Sequence, residues 1–239
     1  KDTGIIAGIR VAREVFHQAD PSLTVKAHRE DGFHMTHGMT ILTVEGYERS
    51  ILRAERLVLN IMQRMSGIAT STSIYVEKVA GTGAKITDTR KTTPGMRFLE
   101  KEAVRIGGGV NHRMGLYDMI MLKDNHVDFA GGIIPAVERV KEYLVRNELQ
   151  LLIEVEARNL DEVKQILDAG GIHRIMLYNF TVPMTAEAVK IIGDAAETES
   201  SGGITLVNVR DYALCGVNYI SVGALTHHIR SLDLSLKAF

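Results

Sequence analysis

Apolar and polar positions fall into two patterns along the chain, and the change comes near residue 80. Residues 6–18 have helical spacing and predict a short helix, while 23–28 and 40–46 predict strands flanking the turn-rich REDGFHMTHG. Residues 47–66, YERSILRAERLVLNIMQRMS, predict a long helix. Its apolar residues cover most of the circumference, which predicts burial, and Arg53, Arg56, Asn60 and Arg64 form its polar stripe.

Beyond residue 80 strands and helices alternate. Strand-like runs occupy 84–87, 119–123, 151–157, 174–179, 197–201 and 219–223, and helical patterns occupy 94–105, 133–146, 160–169, 185–192 and 207–214. Strands that read as apolar throughout, separated by helices, predict a parallel sheet covered on both faces. The position of the polar residues favours a (β/α) barrel over an open sheet, because such barrels gather function at the carboxyl ends of their strands. Those ends carry Thr89-Arg90-Lys91, Lys123-Asp124-Asn125-His126, Glu156, Asn179, Ser201-Gly202-Gly203 and Gly223.

Composition narrows the partners. The chain has 239 residues and a net charge of −1, which gives no reason to expect a nucleic-acid or anionic-membrane partner. There is no Trp to stack on bases, and no apolar run approaches the ~20 residues of a membrane span. Cys215 is the only cysteine, so no intrachain disulfide forms, which suits a reducing cytoplasm. The first residues lack a signal-peptide pattern and an initiating Met, so the natural chain is expected to begin further upstream.

Candidate chemistry is mostly cationic. GGGVNHRMG (107–115) presents His112 and Arg113 from a glycine-lined loop. Glycine is costly to order, and here it would let the main chain approach a ligand. A lone histidine in such a loop is more often a satisfied structural residue than a catalyst. Arg90 and Lys91 precede a helix start, and Lys123 ends a strand-like run where a buried lysine needs an anion. Together these five residues point to a small, multiply anionic ligand, for which arginine supplies a planar fork. The glycine-containing turns SSGGIT and SVGALTHH follow the last two strands, where backbone N–H groups can hold phosphate. No ligand spacing supports a transition-metal site at His112, His126, Asp124 and Glu156. Glu156 fits a substrate-bound Mg²⁺ better.

ERLVLNIMQRMSGIAT, DTRKTTPGMR, GGGVNHRMGLYDMIMLKDNH, IEVEARNLDEV, SGGIT and ISVGALTHH, spread over essentially the whole chain, closely resemble the quinolinate phosphoribosyltransferase family. The resemblance implies an N-terminal α/β sandwich (1–67, without the family's usual opening segment) and an incomplete α/β barrel (68–239). The last helix would pack back on the first domain. It implies conversion of quinolinate and phosphoribosyl pyrophosphate (PRPP) to nicotinate mononucleotide, pyrophosphate and CO₂ with Mg²⁺, in NAD biosynthesis. By matching motifs, Arg56, Arg90, His112, Arg113 and Lys123 would bind the quinolinate carboxylates. Lys91 and Glu156 would be catalytic, Glu156 also facing ribose and Mg²⁺, and Ser201, Gly202, Gly203 and Gly223 would meet the PRPP phosphate. The family forms dimers or larger assemblies, and Arg56 would reach the neighbouring subunit's site.

One position departs from the pattern. The family's Leu-Asp-Asn appears here as Leu177-Tyr178-Asn179, which places a neutral phenol beside the ribose instead of a carboxylate. Two alternatives stay open: a paralogous phosphoribosyltransferase of the molybdenum-transport-associated type, and a weakened homologue that binds NAD-pathway metabolites.

Overall fold

The computed structural model describes residues 2–238. They pack as two compact units, the first comprising 2–76, 91–110 and 223–238, the second 77–90 and 111–222. Among the described residues no helix is long and apolar enough to cross a membrane.

In the first unit, β1 (Gly4–Ile5) pairs antiparallel with β3 (His34–Met35), and β2 (Thr24–Ala27) with β4 (Leu42–Glu45). Helices α1 (Ile9–Ala19) and α2 (Glu48–Lys78) share a core with these strands, built from Ile6, Ile9, Phe16, Leu23, Met35, Val44, Val58 and Met62. Burial of each such side chain contributes about 1.5–3 kcal/mol. The first helix starts later than its periodicity predicts because Gly4 and Ile5 are drawn into β1, whose partner β3 lies in the segment that reads as a turn.

Helix α2 runs past Ser66 to Lys78. Gly67 looks like a stop signal, yet a Cβ there would sit 2.3 Å from the Arg230 carbonyl oxygen. The glycine therefore permits close packing inside a continuing helix. The expected burial of α2 is also corrected. Leu52 and Leu57 are 64% and 55% exposed, and Arg56 lies on this open face.

Helix α3 (Arg97–Ile106) ends in Gly107-Gly108-Gly109. A Cβ on Gly107 would lie 2.4 Å from the Ala69 carbonyl oxygen and 2.7 Å from Thr72 Cβ, and Gly108 has φ +88°. Close approach to α2 accounts for Gly107, and no ligand is needed to explain it.

The second unit is a six-stranded parallel sheet of β5 (Lys85–Thr87), β6 (Ile120–Leu122), β7 (Ile153–Ala157), β8 (Arg174–Tyr178), β9 (Glu197–Ser201) and β10 (Tyr219–Ser221). The spatial order is β5-β10-β9-β8-β7-β6. That is the cyclic order of a (β/α) barrel, broken at the one seam between β5 and β6. Helices α4 (Asp124–Ala130), α5 (Ile133–Arg146), α6 (Leu160–Ala169), α7 (Val182–Ile192) and α8 (Val209–Leu214) follow successive strands. α5 and α6 match their periodicity, whereas the short α4 has too few turns to show one.

Gly107→Ala should destabilise the protein by about 1–3 kcal/mol through overpacking against α2. Thermal denaturation measures this, and an unchanged melting temperature would refute the close-packing account.

Candidate active site

The strands of the sheet are not apolar throughout, contrary to the expectation from the sequence. Residues two apart share a face, so Glu154 and Glu156 of β7 lie on the face that also carries Arg174, Met176 and Tyr178 of β8 and Glu197, Glu199 and Ser201 of β9. The register sets Glu154 beside Arg174, Arg174 beside Glu197, and Met176 beside Glu199. The opposite face carries Ile153, Val155, Ala157, Ile175 and Leu177, all buried.

Arg174 organises the charged face. Its Nη1 donates to Glu199 Oε2 at 3.0 Å, its Nη2 donates to Glu197 Oε2 at 2.9 Å, and the guanidinium lies 3.7 Å from the Tyr219 ring centre. Glu154 and Glu199 are fully buried. Burial pushes each carboxyl up to about 7, with the Glu154 charge raising Glu199 further and Arg174 opposing both shifts. Both Glu154 oxygens and Glu199 Oε1 meet no hydrogen-bond donor, which a proton shared between the two carboxyls would supply.

His112 enters this cluster from the loop after Asn111. Its Nε2 lies 2.9 Å from Glu154 Oε2 and 3.5 Å from Glu199 Oε2, off the axis of a linear hydrogen bond, so the attraction is mainly electrostatic. Its main-chain N–H donates to Asp88 Oδ1 at 2.9 Å. The Arg113 main-chain N–H donates to His112 Nδ1 at 2.7 Å, and Arg113 Nη1 donates to the Met119 carbonyl at 3.1 Å. Burial and the nearby Arg90 hold the Arg113 guanidinium below its ordinary value. Arg90 Nε is buried with no hydrogen-bond partner. The structure thus brings His112, Arg113 and Arg90 together.

The other expected residues in this unit sit at strand ends. Lys123 is exposed, which corrects the reading of it as a buried lysine in need of an anion; among the described residues β6 is an edge strand paired only with β7. Glu156 is buried, and its carboxyl is raised by desolvation, lowered by Lys123 and raised again by Asp124. His126 accepts the Lys123 main-chain N–H on Nδ1 at 3.1 Å. Tyr178 is 37% exposed and registers with Ser201. Gly202 and Gly203 have φ of +90° and +66°, and a Cβ on Gly202 would collide with Asn179 Oδ1 at 2.0 Å.

In the first unit, Lys91 and Gly223 adjoin a cavity of about 580 Å³ lined by Arg64, Lys91, Thr92, Thr93, Thr226 and His227 among others. A Cβ on Gly223 would meet His227 Nε2 at 3.0 Å and Lys91 Cδ at 3.4 Å. Arg64 is held by Glu100 Oε1 at 2.6 Å. Desolvation, then His228 and Lys91, push the His227 imidazole below its ordinary value. The Arg56 side chain is 79% exposed and lies 3.8 Å from Glu55.

Sequence reasoning missed Glu154, Arg174, Glu199 and His227. The Glu-x-Glu spacing of LLIEVEA and ETESS signals the first and third. His227 lies in a quoted motif, but its approach to Lys91 is a long-range contact.

The raised carboxyls carry a pH dependence. The folded Glu199 value, about 7, exceeds the ordinary 4.5. Its stability contribution is therefore fully present below about 4.5 and is lost as pH rises through about 7. Glu199→Gln, neutral throughout, should gain melting temperature relative to wild type as pH goes from about 5 to 8. Parallel melting curves across that range would refute it.

Comparison with known proteins agrees with this architecture. Residues 1–66 match the family model described as quinolinate phosphoribosyl transferase, N-terminal domain, and residues 68–237 match the C-terminal domain. A chloroplastic nicotinate-nucleotide pyrophosphorylase [carboxylating] of Arabidopsis thaliana is 47% identical, over 99% of this chain and 72% of its own length. The enzyme of that name from Mycobacterium leprae is 44% identical, over 99% and 83%. The crystal structure of NadC from Streptococcus pyogenes superposes with a TM-score of 0.94 at 38% identity, covering 100% of this chain and 83% of that one. The chain belongs to the quinolinate phosphoribosyltransferase family.

Proposed function

We propose that this chain transfers the phosphoribosyl group of PRPP to quinolinate, releasing pyrophosphate and CO₂ and leaving nicotinate mononucleotide. The observation that carries the reading is the pairing of Arg90, whose buried Nε has no partner, with the half-buried Arg113. Two neighbouring guanidiniums repel each other unless an anion lies between them, and a dicarboxylate supplies two. The relatives are named nicotinate-nucleotide pyrophosphorylase [carboxylating] and quinolinate phosphoribosyltransferase [decarboxylating], which favours neither the molybdenum-associated paralogue nor a pure binding homologue.

The pyridine nitrogen attacks the anomeric carbon as pyrophosphate leaves, through an oxocarbenium-like transition state. Arg90 and Arg113, with His112, Lys123 and a partner subunit's arginine at position 56, orient the dianion. The ring-nitrogen cation then accepts electrons as the neighbouring carboxylate departs, and Lys91 protonates the resulting ring carbanion. Ser201, Gly202, Gly203 and Gly223, with Tyr178 alongside, receive the PRPP phosphate and ribose. Mg²⁺ would neutralise pyrophosphate, and Glu156 would hold it: its carboxyl is raised by desolvation, lowered by Lys123 and raised again by Asp124, and a bound cation would oppose the desolvation. The exposed Leu52, Arg56 and Leu57 on α2 support a homodimer built on that face. With one cysteine and no disulfide, a cytoplasmic setting fits.

Incubation with quinolinate, PRPP and Mg²⁺ should yield CO₂ and nicotinate mononucleotide; no product from folded protein would overturn the proposal. Arg113→Ala should weaken quinolinate binding by about 2–5 kcal/mol, roughly 30-fold or more, measured by calorimetric titration. Unchanged affinity would remove Arg113 from the site. Tyr178→Asp should raise kcat/KM for PRPP, since a charge-assisted hydrogen bond contributes about 1.5–3 kcal/mol. A folded aspartate variant with no gain would show that the phenol is compensated.

A further inference from the structure

We infer that Arg64 and Glu100 are positioning residues for Lys91: their ion pair fixes the segment 91–93, and Arg64 does not itself hold an anion. The inference rests on the proposed role of Lys91 and adds two residues that act through it. Arg64 comes from the polar stripe of α2 and lines the same cavity as Lys91, where a free guanidinium would draw an anion. Its charge is instead taken by Glu100 of α3. Nε donates to Oε1 at 2.8 Å and Nη2 donates to the same oxygen at 2.6 Å. The Glu100 side chain is 1% exposed. Parting the pair would strand that carboxylate in the interior, so the guanidinium stays with it.

The pair grips the main chain close to Lys91. Glu100 Oε2 accepts the Thr93 main-chain N–H at 3.1 Å, and Arg64 Nη2 donates to Thr93 Oγ1 at 2.6 Å. Thr93 is thus held through its backbone by one partner and through its hydroxyl by the other. Two further bonds hold the same segment. Arg97 Nε donates to Thr92 Oγ1 at 3.1 Å, and Thr226 Oγ1 donates to the Lys91 carbonyl at 3.0 Å. Lys91 is exposed and lies outside any helix or strand. An exposed lysine side chain keeps its rotamer freedom, so a fixed main chain limits where its ammonium can go. That side chain runs past Gly223, where an added Cβ would meet Lys91 Cδ at 3.4 Å.

Arg64→Ala and Glu100→Gln remove opposite charges, yet a positioning pair makes their effects alike. Each should lower kcat about 10- to 100-fold, the cost of a misplaced reacting group, with KM for quinolinate within about threefold. Loss of activity in Arg64→Ala alone, with Glu100→Gln at the wild-type rate, would mean that Arg64 meets the anion directly and would overturn the inference. Thr93→Val serves where a charge variant does not fold, because it keeps the backbone N–H and loses only the hydroxyl. Its kcat should fall about threefold or more; a wild-type kcat would overturn the inference. Amide hydrogen exchange gives a reading that needs no turnover. In Arg64→Ala the Thr93 amide should exchange about tenfold faster while α1 keeps its wild-type rates. An unchanged Thr93 rate would overturn the inference. Wild type whose Thr93 amide responds in this way, but which makes no product, would sink the proposed activity alone.

Discussion

The second unit depends on the Arg174 guanidinium, which bridges Glu197 and Glu199 on the charged face of the sheet. Burying ions costs several kcal/mol each unless they are paired and hydrogen-bonded. The pairing therefore constrains the strands as well as the side chains. β7, β8 and β9 must align so that Glu154, Arg174 and Glu197 fall in one row. A one-residue slip of β8 would send Arg174 to the apolar face and strand the glutamates. The same register carries Glu156, Tyr178 and Ser201 to the carboxyl ends of their strands, where the site begins.

The parts of the fold legible in the sequence are those set by local pattern. α5 and α6 read correctly because their apolar stripes are complete and their ends well marked. β3 did not, since two residues acquire strand character only by pairing with a distant β1. The glycine cluster misled for a related reason. Glycine marks close approach, but the sequence does not say to what, and for Gly107 the neighbour is α2. The site was legible wherever charge fell at a strand end, as with Arg90 and Glu156. Within strands the Glu-x-Glu alternation was present, yet the apolar residues between the glutamates dominated the reading.

Lys123 and Arg56 show how far burial arguments from sequence reach. Lys123 was expected to need an anion because it ends an apolar run, and Arg56 lies on a helix whose apolar coverage predicted burial. Lys123 escapes the cost at the end of an edge strand, where solvent reaches it. Arg56 escapes it on an open helix face beside two exposed leucines. An arginine in water needs no partner, but leucines more than half exposed on the same face are the unusual feature. Solvent access removes the electrostatic reason for a partner and leaves a hydrophobic one.

Arginines near glutamates usually collapse into ion pairs, and the site would then have no charge to offer a ligand. Here Arg113 feels the charges of Glu154 and Asp118 but makes no direct ion pair with them. Glu199 is taken by Arg174, and burial raises both the Glu154 and Glu199 carboxyls to about 7. Arg113, by contrast, hydrogen-bonds the Met119 carbonyl and Met121 Sδ, both neutral. Its orientation is fixed without its charge being cancelled, and Arg90 adds a second positive charge beside it. A rigid cation held by neutral acceptors keeps its full attraction for an incoming anion and loses little entropy on binding. Among the described residues Arg174 thus holds the interior glutamate, while Arg113 hydrogen-bonds only neutral acceptors.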